Sequence, residues 1–524
     1  MVEPVISLVK EVIKKQRQTL VFCGSKRSAE KQAEDIAKVL KKDADFPLKE
    51  TCLALSKEFE ACLDIPTEQC KRNAFCIKKG VAFHHAGLLS KQKDLIEEGF
   101  RNGTIHTICA TPTLAAGVDT SAYRTIIKDI KRFTGRWGML YIPVLEYLQM
   151  AGRAGRPGKE TEGEAVLIAK SEAEKELLKE QYIYGKPENI QSKLAVEPIL
   201  RSAVLSLISS KFTKTYTDVL TFFEKTFYAK QFQDMYRLEQ ILKKVILQLK
   251  EFGFLSNSNE ETEFFHSAND IKDNETLEET PLGKRVSELY LDPLTAHTII
   301  CALKKAQEQK ERNDKKHLTK EIIQALCNTI EMEPLLRVKD KEIIFLQQEI
   351  EELRETILSE IPKEHHFEYP SFLQSIKTTL FFHDYIEEAS DSEILETYDV
   401  RPGEVRAKLE NFDWLLRCAI ELSKFLEKKG IISDLVKVQL RMKHGVKEEL
   451  LSLLKLKHIG RTRARILFSK GFVHIGSFKK EHFDEVTEIL GPKIAKDIFL
   501  QLGIEVVDTP LDKKKTKKNL SDYF

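Results

Sequence analysis

No apolar run in this 524-residue chain approaches the roughly 20 residues that a membrane-spanning helix needs. The N-terminal stretch MVEPVISLVKEVIKKQRQ is amphipathic and charged, unlike a secretory signal. No membrane partner is therefore expected, and the cytoplasm is the expected location. Neither sign of charge dominates: 83 basic against 81 acidic residues leave a net +2, so any nucleic-acid surface has to be local. The clearest basic run, KKKTKK at 513–518, sits at the end of the chain, where it reads first as a solvated tail. The nine cysteines are scattered, and Cys70 and Cys76 lack the paired spacing of a zinc module. Reduced, mostly buried thiols and no metal site are expected. There is no tandem repeat of fixed period.

A hydrophobic fraction of 42% with 31% charged residues describes globular domains, and the length allows about three to five of them. The first part alternates strand and helix. Apolar runs at Thr19–Cys23, Val81–Phe83, Thr107–Ala110, Thr125–Ile127 and Ala165–Ala169 predict buried parallel strands, with helices such as Ser28–Leu40 and Lys91–Phe100 between them. Strand signals become rare after about residue 185. Residues 191–255 predict several helices, with 243–252 strongly amphipathic, and SNSNEETEFF at 256–265 reads as a hairpin wing. Residues 280–440 read as nearly all helical, with a long surface-exposed helix over the Glu/Lys/Gln-rich 338–358. A helix–hairpin–helix pattern opens at Gly460.

Four segments carry the chemistry. The strongest is QMAGRAGRPG at 149–158, expected on a helix that opens after an apolar stretch. Three residues apart, Arg153 and Arg156 would then share a face, and forked cations of this kind stabilise charge on a γ-phosphate; Gln149 precedes them, and the glycines allow close backbone approach. The second is ICATPTLAAGVDTSA at 108–122: a strand ending at Ala110, then a turn with Thr111 and Thr113 into a helix whose free N–H groups suit a nucleic-acid phosphate. Gly117 and Asp119 lie where that loop would couple DNA and nucleotide sites. The third is VFCGSKRSAE at 21–30, with Ser25, Lys26 and Arg27 at a helix start. The fourth is VAFHHAGL at 81–88, where His85 and Gly87 suit a loop contacting a nucleic-acid backbone and no acid–base role is assigned.

Taken in chain order, the segments at 21–30, 81–88, 108–122 and 149–158 resemble motifs IV, IVa, V and VI of the Ski-type helicases of superfamily 2. The resemblance extends through 280–296, 398–415 and 444–472 to archaeal Hjm-type DNA repair helicases, relatives of the helicase half of DNA polymerase theta. It implies ATP with Mg²⁺ as cofactor, movement 3′ to 5′, and single-stranded and forked DNA as substrate, hence a nucleoid-associated protein. Two departures stand out. The chain carries no GxxxxGK[ST] phosphate loop and no DExH box, so the expectation is a C-terminal part that shares ATP with a first RecA-like motor domain, encoded by the same gene or carried by a separate chain. Motif V also has Asp119, Thr120 and Ser121 where the family usually shows Asn-Leu-Pro.

Further roles rest on the resemblance. The segment 125–144 has two strand-like runs flanking Thr134–Gly138, the position of the family's strand-separating pin, where Trp137 would stack on the last base pair. Trp414 would grip unpaired bases on a ratchet helix, with Arg406 or Lys408 replacing the family's arginine at position 407, which is alanine here; a core tryptophan is the competing reading. Gly460, Arg461 and Arg463 would meet a phosphate at the helix–hairpin–helix, although not all of Arg461, Arg463 and Arg465 can face DNA at once. Leu520, Tyr523 and Phe524 are spaced like a peptide that binds a sliding clamp. The expected architecture is an α/β RecA-like motor domain (1–182), a winged helix (183–278), a helical ratchet (279–445), a helix–hairpin–helix domain (446–508) and a basic tail (509–524). The alternative function is a non-enzymatic DNA-binding adaptor derived from a helicase.

Overall fold

Four-residue apolar runs flanked by turns are too short to bury a helical face, and in the computed structural model they are strands. The structure describes residues 3–42, 50–63, 66–117, 120–133, 138–155, 162–194, 196–232, 234–256, 276–312 and 318–504. They fall into two units, the first comprising residues 1–190 and 391–407, the second residues 191–390 and 408–524.

In the first unit, β1 (Thr19–Phe22), β2 (Val81–His84), β3 (Thr107–Ala110), β4 (Arg124–Ile127) and β7 (Glu164–Leu167) form a parallel sheet in the order β2-β3-β1-β4-β7. Every residue of β1 to β4 is buried. Burial on both faces explains why these strands read as continuous rather than alternating apolar runs. The helices of this unit are α1 (Pro4–Lys14), α2 (Lys26–Lys42), α3 (Glu50–Glu60), α4 (Glu68–Ile77), α5 (Ser90–Arg101), α6 (Thr113–Gly117), α7 (Val144–Ala151) and α8 (Glu172–Leu178). Helix α2 buries Ala29, Ala33, Ile36, Ala37 and Leu40 in the core that includes Leu20, Phe22, Phe83 and Ile108. Between β4 and α7, β5 (Lys131–Phe133) and β6 (Met139–Tyr141) pair antiparallel. The unit runs past the expected boundary at 182 for a specific reason: the Glu188 carboxylate accepts from the N–H groups of Val144 and Leu145 at 2.6 and 3.1 Å, capping α7.

The second unit is mostly helical: α9 (Glu197–Ser209), α10 (Tyr216–Glu224), α11 (Phe227–Phe232), α12 (Met235–Glu251), α13 (Pro281–Glu288), α14 (Pro293–Arg312), α15 (Thr319–Cys327), α16 (Ile343–Leu353) and α17 (Tyr369–Ile386), then most of α19 (Pro402–Phe425), α20 (Lys429–His444), α21 (Arg461–Ser469), α22 (Phe483–Leu490) and α23 (Pro492–Gln501). The amphipathic stretch at 243–252 is the second half of α12. Leu255 and Glu279 form an antiparallel bridge, and Ser256 N–H donates to the Glu278 carbonyl at 2.8 Å. The rest of the expected wing lies outside the described residues. The long exposed helix expected over 338–358 is not observed. The α-helix there is the 11-residue α16, and Leu346, Ile350 and Leu353 are buried against Tyr369, Phe372 and Ile376. Four- and three-residue apolar spacing inside an acidic stretch was the overlooked signal.

The remaining helix, α18 (Asp391–Tyr398), together with the start of α19, belongs to the first unit, although the expected boundaries put both in the ratchet domain.

Candidate nucleotide and nucleic-acid interface

Because the sheet is parallel, the loops leaving the C-terminal ends of β1, β2 and β3 emerge on one edge, the side where open α/β sheets carry their ligand sites. Three of the four sequence motifs sit there. Exposed Ser25 follows β1, and its hydroxyl accepts from the Ser28 N–H at 3.1 Å, tying off the first turn of α2. Gly24 N–H and the Ser28 hydroxyl both bond to Asp129, at 3.0 and 2.8 Å. Thr111 follows β3 directly. Its N–H donates to the His84 carbonyl at 3.2 Å, and its hydroxyl lies 2.9 Å from that of Thr113, both at the surface end of the short α6.

Motif VI differs from expectation. Helix α7 ends at Ala151, with Gly152 as its C-cap, so Arg153 lies beyond the helix on which it was expected. The cause is local: Gly152 and Gly155, the latter at φ +88°, favour a turn over another helical turn. The turn is stitched to the motif V segment. Ala122 N–H donates to the Arg153 carbonyl at 3.0 Å and Gly155 N–H to the Ala122 carbonyl at 2.7 Å. The Arg153 guanidinium donates through Nε to the Ala115 carbonyl at 3.0 Å, with Nη2 on the same oxygen. Gln149 is exposed on α7. Gly117 closes α6. Asp119, Trp137 and Arg156 lie outside the described residues, as do Leu520, Tyr523 and Phe524.

His85 is a second correction. Its side chain is fully buried, stacked on Phe83 with ring centroids 5.5 Å apart. Nδ1 accepts from the Gly87 N–H at 3.1 Å, which leaves Nε2 to carry the proton toward Glu30 at 3.1 Å. Burial, the largest influence, pushes the His85 pKa down, in accord with a neutral ring. A ring so enclosed has no face for DNA; any nucleic-acid contact here falls to the loop backbone.

Glu30 was not among the residues read from the sequence. Burial pushes its pKa up, but the hydrogen bond from His85 and the charges of Arg401 and Arg72 outweigh burial and bring it to about 2. Its carboxylate meets Arg72 at 3.0 Å and Arg401 at 3.1 Å. No sequence signal marks it: one glutamate in a polar helix looks like any solvated one.

In the second unit, Trp414 on α19 is half-buried, between the core and exposed readings, while its neighbours Phe412, Leu415 and Leu416 are fully buried. Arg406 is exposed; Lys408 donates to the Pro334 carbonyl at 2.6 Å. Gly460 is exposed at the N-cap of α21, and an added Cβ there would meet nothing within 4 Å. Arg461 donates to the carbonyls of Glu388 and Ala389, Arg463 to that of His458 at 2.7 Å, and Arg465 grips the Glu388 carboxylate through two bonds of 2.8 Å. Arg461 and Arg465 thus hold the fold, and Arg463 bonds to the segment just ahead of its own helix. Among the described residues, no group of three His, Cys, Asp or Glu side chains stands ready for a metal, and no helix is long and apolar enough to cross a membrane.

Residues 48–158 match the helicase conserved C-terminal domain, residues 163–256 a helix-turn-helix domain, and residues 320–445 domain 4 of archaeal helicases. The ATP-dependent DNA helicase Hel308 of Methanococcus vannielii is 35% identical over 523 residues, covering 95% of this chain and 67% of that protein. The Hel308 of Pyrococcus horikoshii is 34% identical, covering 99% of this chain and 68% of its own length. Identity sustained across both units, at that coverage, shows that the chain belongs to the Hel308 family of archaeal superfamily 2 DNA helicases.

Proposed function

We propose that the chain works as the C-terminal part of an ATP-dependent 3′–5′ helicase acting on forked or branched DNA, its α/β unit being the second RecA-like motor domain. The observation that carries this reading is the bond network joining Arg153 to Ala115 and Ala122: a cation from one motif is held directly on the loop of another, so movement at one is felt at the other. ATP would lie between this unit and a first motor domain. Arg153 and Arg156, with Gln149 beside them, would stabilise negative charge on the γ-phosphate. The described residues offer cations and N–H donors but no carboxylate cluster for Mg²⁺, which the first motor domain would hold.

On the DNA side, Ser25, Thr111 and Thr113 present hydroxyls and helix-start N–H groups on one edge of the sheet, suited to backbone phosphates. The β5–β6 hairpin, with Phe133, Met139 and Leu140 exposed beside its tip, would split the duplex. Trp414 with Arg406 would hold the unpaired strand, and the open N-terminus of α21 at Gly460 would take one phosphate. The C-terminal tail would engage a sliding clamp.

The test is biochemical. The purified chain alone should hydrolyse no ATP in response to DNA; adding a matching first motor domain should restore hydrolysis, and Arg153→Ala or Arg156→Ala should then abolish it. Robust hydrolysis by the chain alone, or indifference of the restored activity to both arginines, rejects the reading. DNA binding with no activity under any pairing would favour an adaptor.

A further inference from the structure

The first unit recruits residues 391–407 from a distant part of the sequence, and the recruitment is specific. Arg401, nearly buried, sends Nε to Glu30 at 3.1 Å. Glu404 accepts from the Arg401 N–H at 3.1 Å and also pairs with Lys26. Asp399, in the left-handed region at φ +57°, pairs with Arg27 at 2.8 Å. Gly403 N–H donates to the Gly87 carbonyl at 3.1 Å. The two backbones approach so closely that a Cβ on Gly403 would lie 2.4 Å from the Leu88 carbonyl oxygen, and one on Gly87 would lie 2.4 Å from Arg401 Cδ. These contacts fall on the start of α2 after β1 and on the loop after β2. They take up Lys26 and Arg27, the basic residues of motif IV. They end where α19 begins, and α19 runs on without a break to Trp414 and beyond.

We infer that residues 399–404 are a mount that fixes the first turn of α19 to the α/β unit, with Arg401 and Glu30 as its positioning residues. The helix therefore starts from the loops that follow β1 and β2 rather than from a flexible linker. Glu30 suits the task because Arg72 and His85 hold its carboxylate in place independently of Arg401. Gly403 suits it because only glycine lets the helix start sit against the backbone of residues 86–88. The consequence for DNA handling rests on the reading of Trp414 as a base-gripping residue. On that reading, a loosened mount would let ATP be consumed without strand movement.

The experiment uses spin labels in the full chain at Lys31→Cys on α2 and Ala407→Cys on α19, with Cys62 and Cys301 replaced by serine. One narrow distance distribution, unchanged by single-stranded DNA, is expected. Arg401→Met and Gly403→Ala should broaden it, and Arg401→Lys should restore it in part. In the enzyme assembled with a first motor domain, the broadening variants should lower the strands separated per ATP, with DNA-stimulated hydrolysis unchanged. A broad or DNA-shifted distribution in the otherwise unaltered protein overturns the mount. So does a distribution indifferent to both variants, or a broadened one with normal strand separation. Trp414→Ala reports separately on the grip: normal strand binding in that variant rejects the base-gripping role and leaves the distance result to judge the mount.

Discussion

Replacing Glu30 by glutamine keeps the side chain's shape and removes its charge from a site where the carboxylate serves three partners. Its pKa, brought to about 2 from an ordinary 4.5, is equivalent to about 3 kcal/mol of stability at neutral pH. The same figure follows from the partners, because leaving nearly buried Arg401 without its closest carboxylate belongs to the class of broken buried pairs that cost about 3–5 kcal/mol. In a unit of this size, about 3 kcal/mol lowers the melting temperature by roughly 6–12 °C. The sign of the pH dependence is fixed. A carboxylate with a depressed folded-state pKa stabilises above its unfolded value and loses that stabilisation as pH falls toward about 2. Calorimetry of both proteins between pH 7 and pH 3.5 should therefore show a gap that is constant down to about 5 and then narrows, by about 1.4 kcal/mol at the acid end. A gap below about 1 kcal/mol at neutral pH, outside the range for a broken buried pair, or one that stays constant with acidification, would refute the claim that Glu30 is held ionised by Arg401, Arg72 and His85.

Three further outcomes are expected. Trp414→Ala should weaken single-strand binding by about 1–3 kcal/mol, measured by fluorescence anisotropy; a variant that melts without a specific DNA defect makes Trp414 a core residue. Shortening residues 134–138 should spare strand binding and ATP turnover in the assembled enzyme while cutting duplex separation, and equal losses in all three assays would mark the hairpin as structural. A peptide of residues 511–524 should bind the host clamp in about the micromolar range by calorimetry, and Leu520→Ala with Phe524→Ala should remove the heat; identical traces for the two peptides exclude the clamp.

What could be read from the residues followed the range of the interactions. Strands such as Thr107–Ala110 were legible because burial on both faces writes itself into four consecutive apolar residues. The helix start after Gly460 was legible because an N-cap is a local event. Arg153 was expected on a helix and lies beyond it, since the glycines of its segment also end the helix. His85 was expected to face a ligand; its burial depends on Glu30, 55 residues away, and on a stack with Phe83 that no spacing rule records. The attachment of 391–407 to the first unit was illegible for the same reason, carried as it is by single charged residues that resemble solvated ones until their partners are known.

Glu30 and Arg401 are 371 positions apart in the chain. At a synthesis rate of about 5–20 residues per second, roughly 20 to 75 seconds separate their emergence. The sheet can close long before then, because Glu30 finds Arg72 and His85 within its own neighbourhood and is not left as a lone buried charge. Residues 399–404 thus meet an assembled surface, and their docking closes a very long loop late in biogenesis. Loop-closure cost grows only logarithmically with length, so the distance is thermodynamically tolerable, and its main effect is on timing. The nascent chain carries a folded α/β unit while the start of α19 is still unmade, and the order of synthesis makes this attachment one of the last steps before the protein can work on DNA.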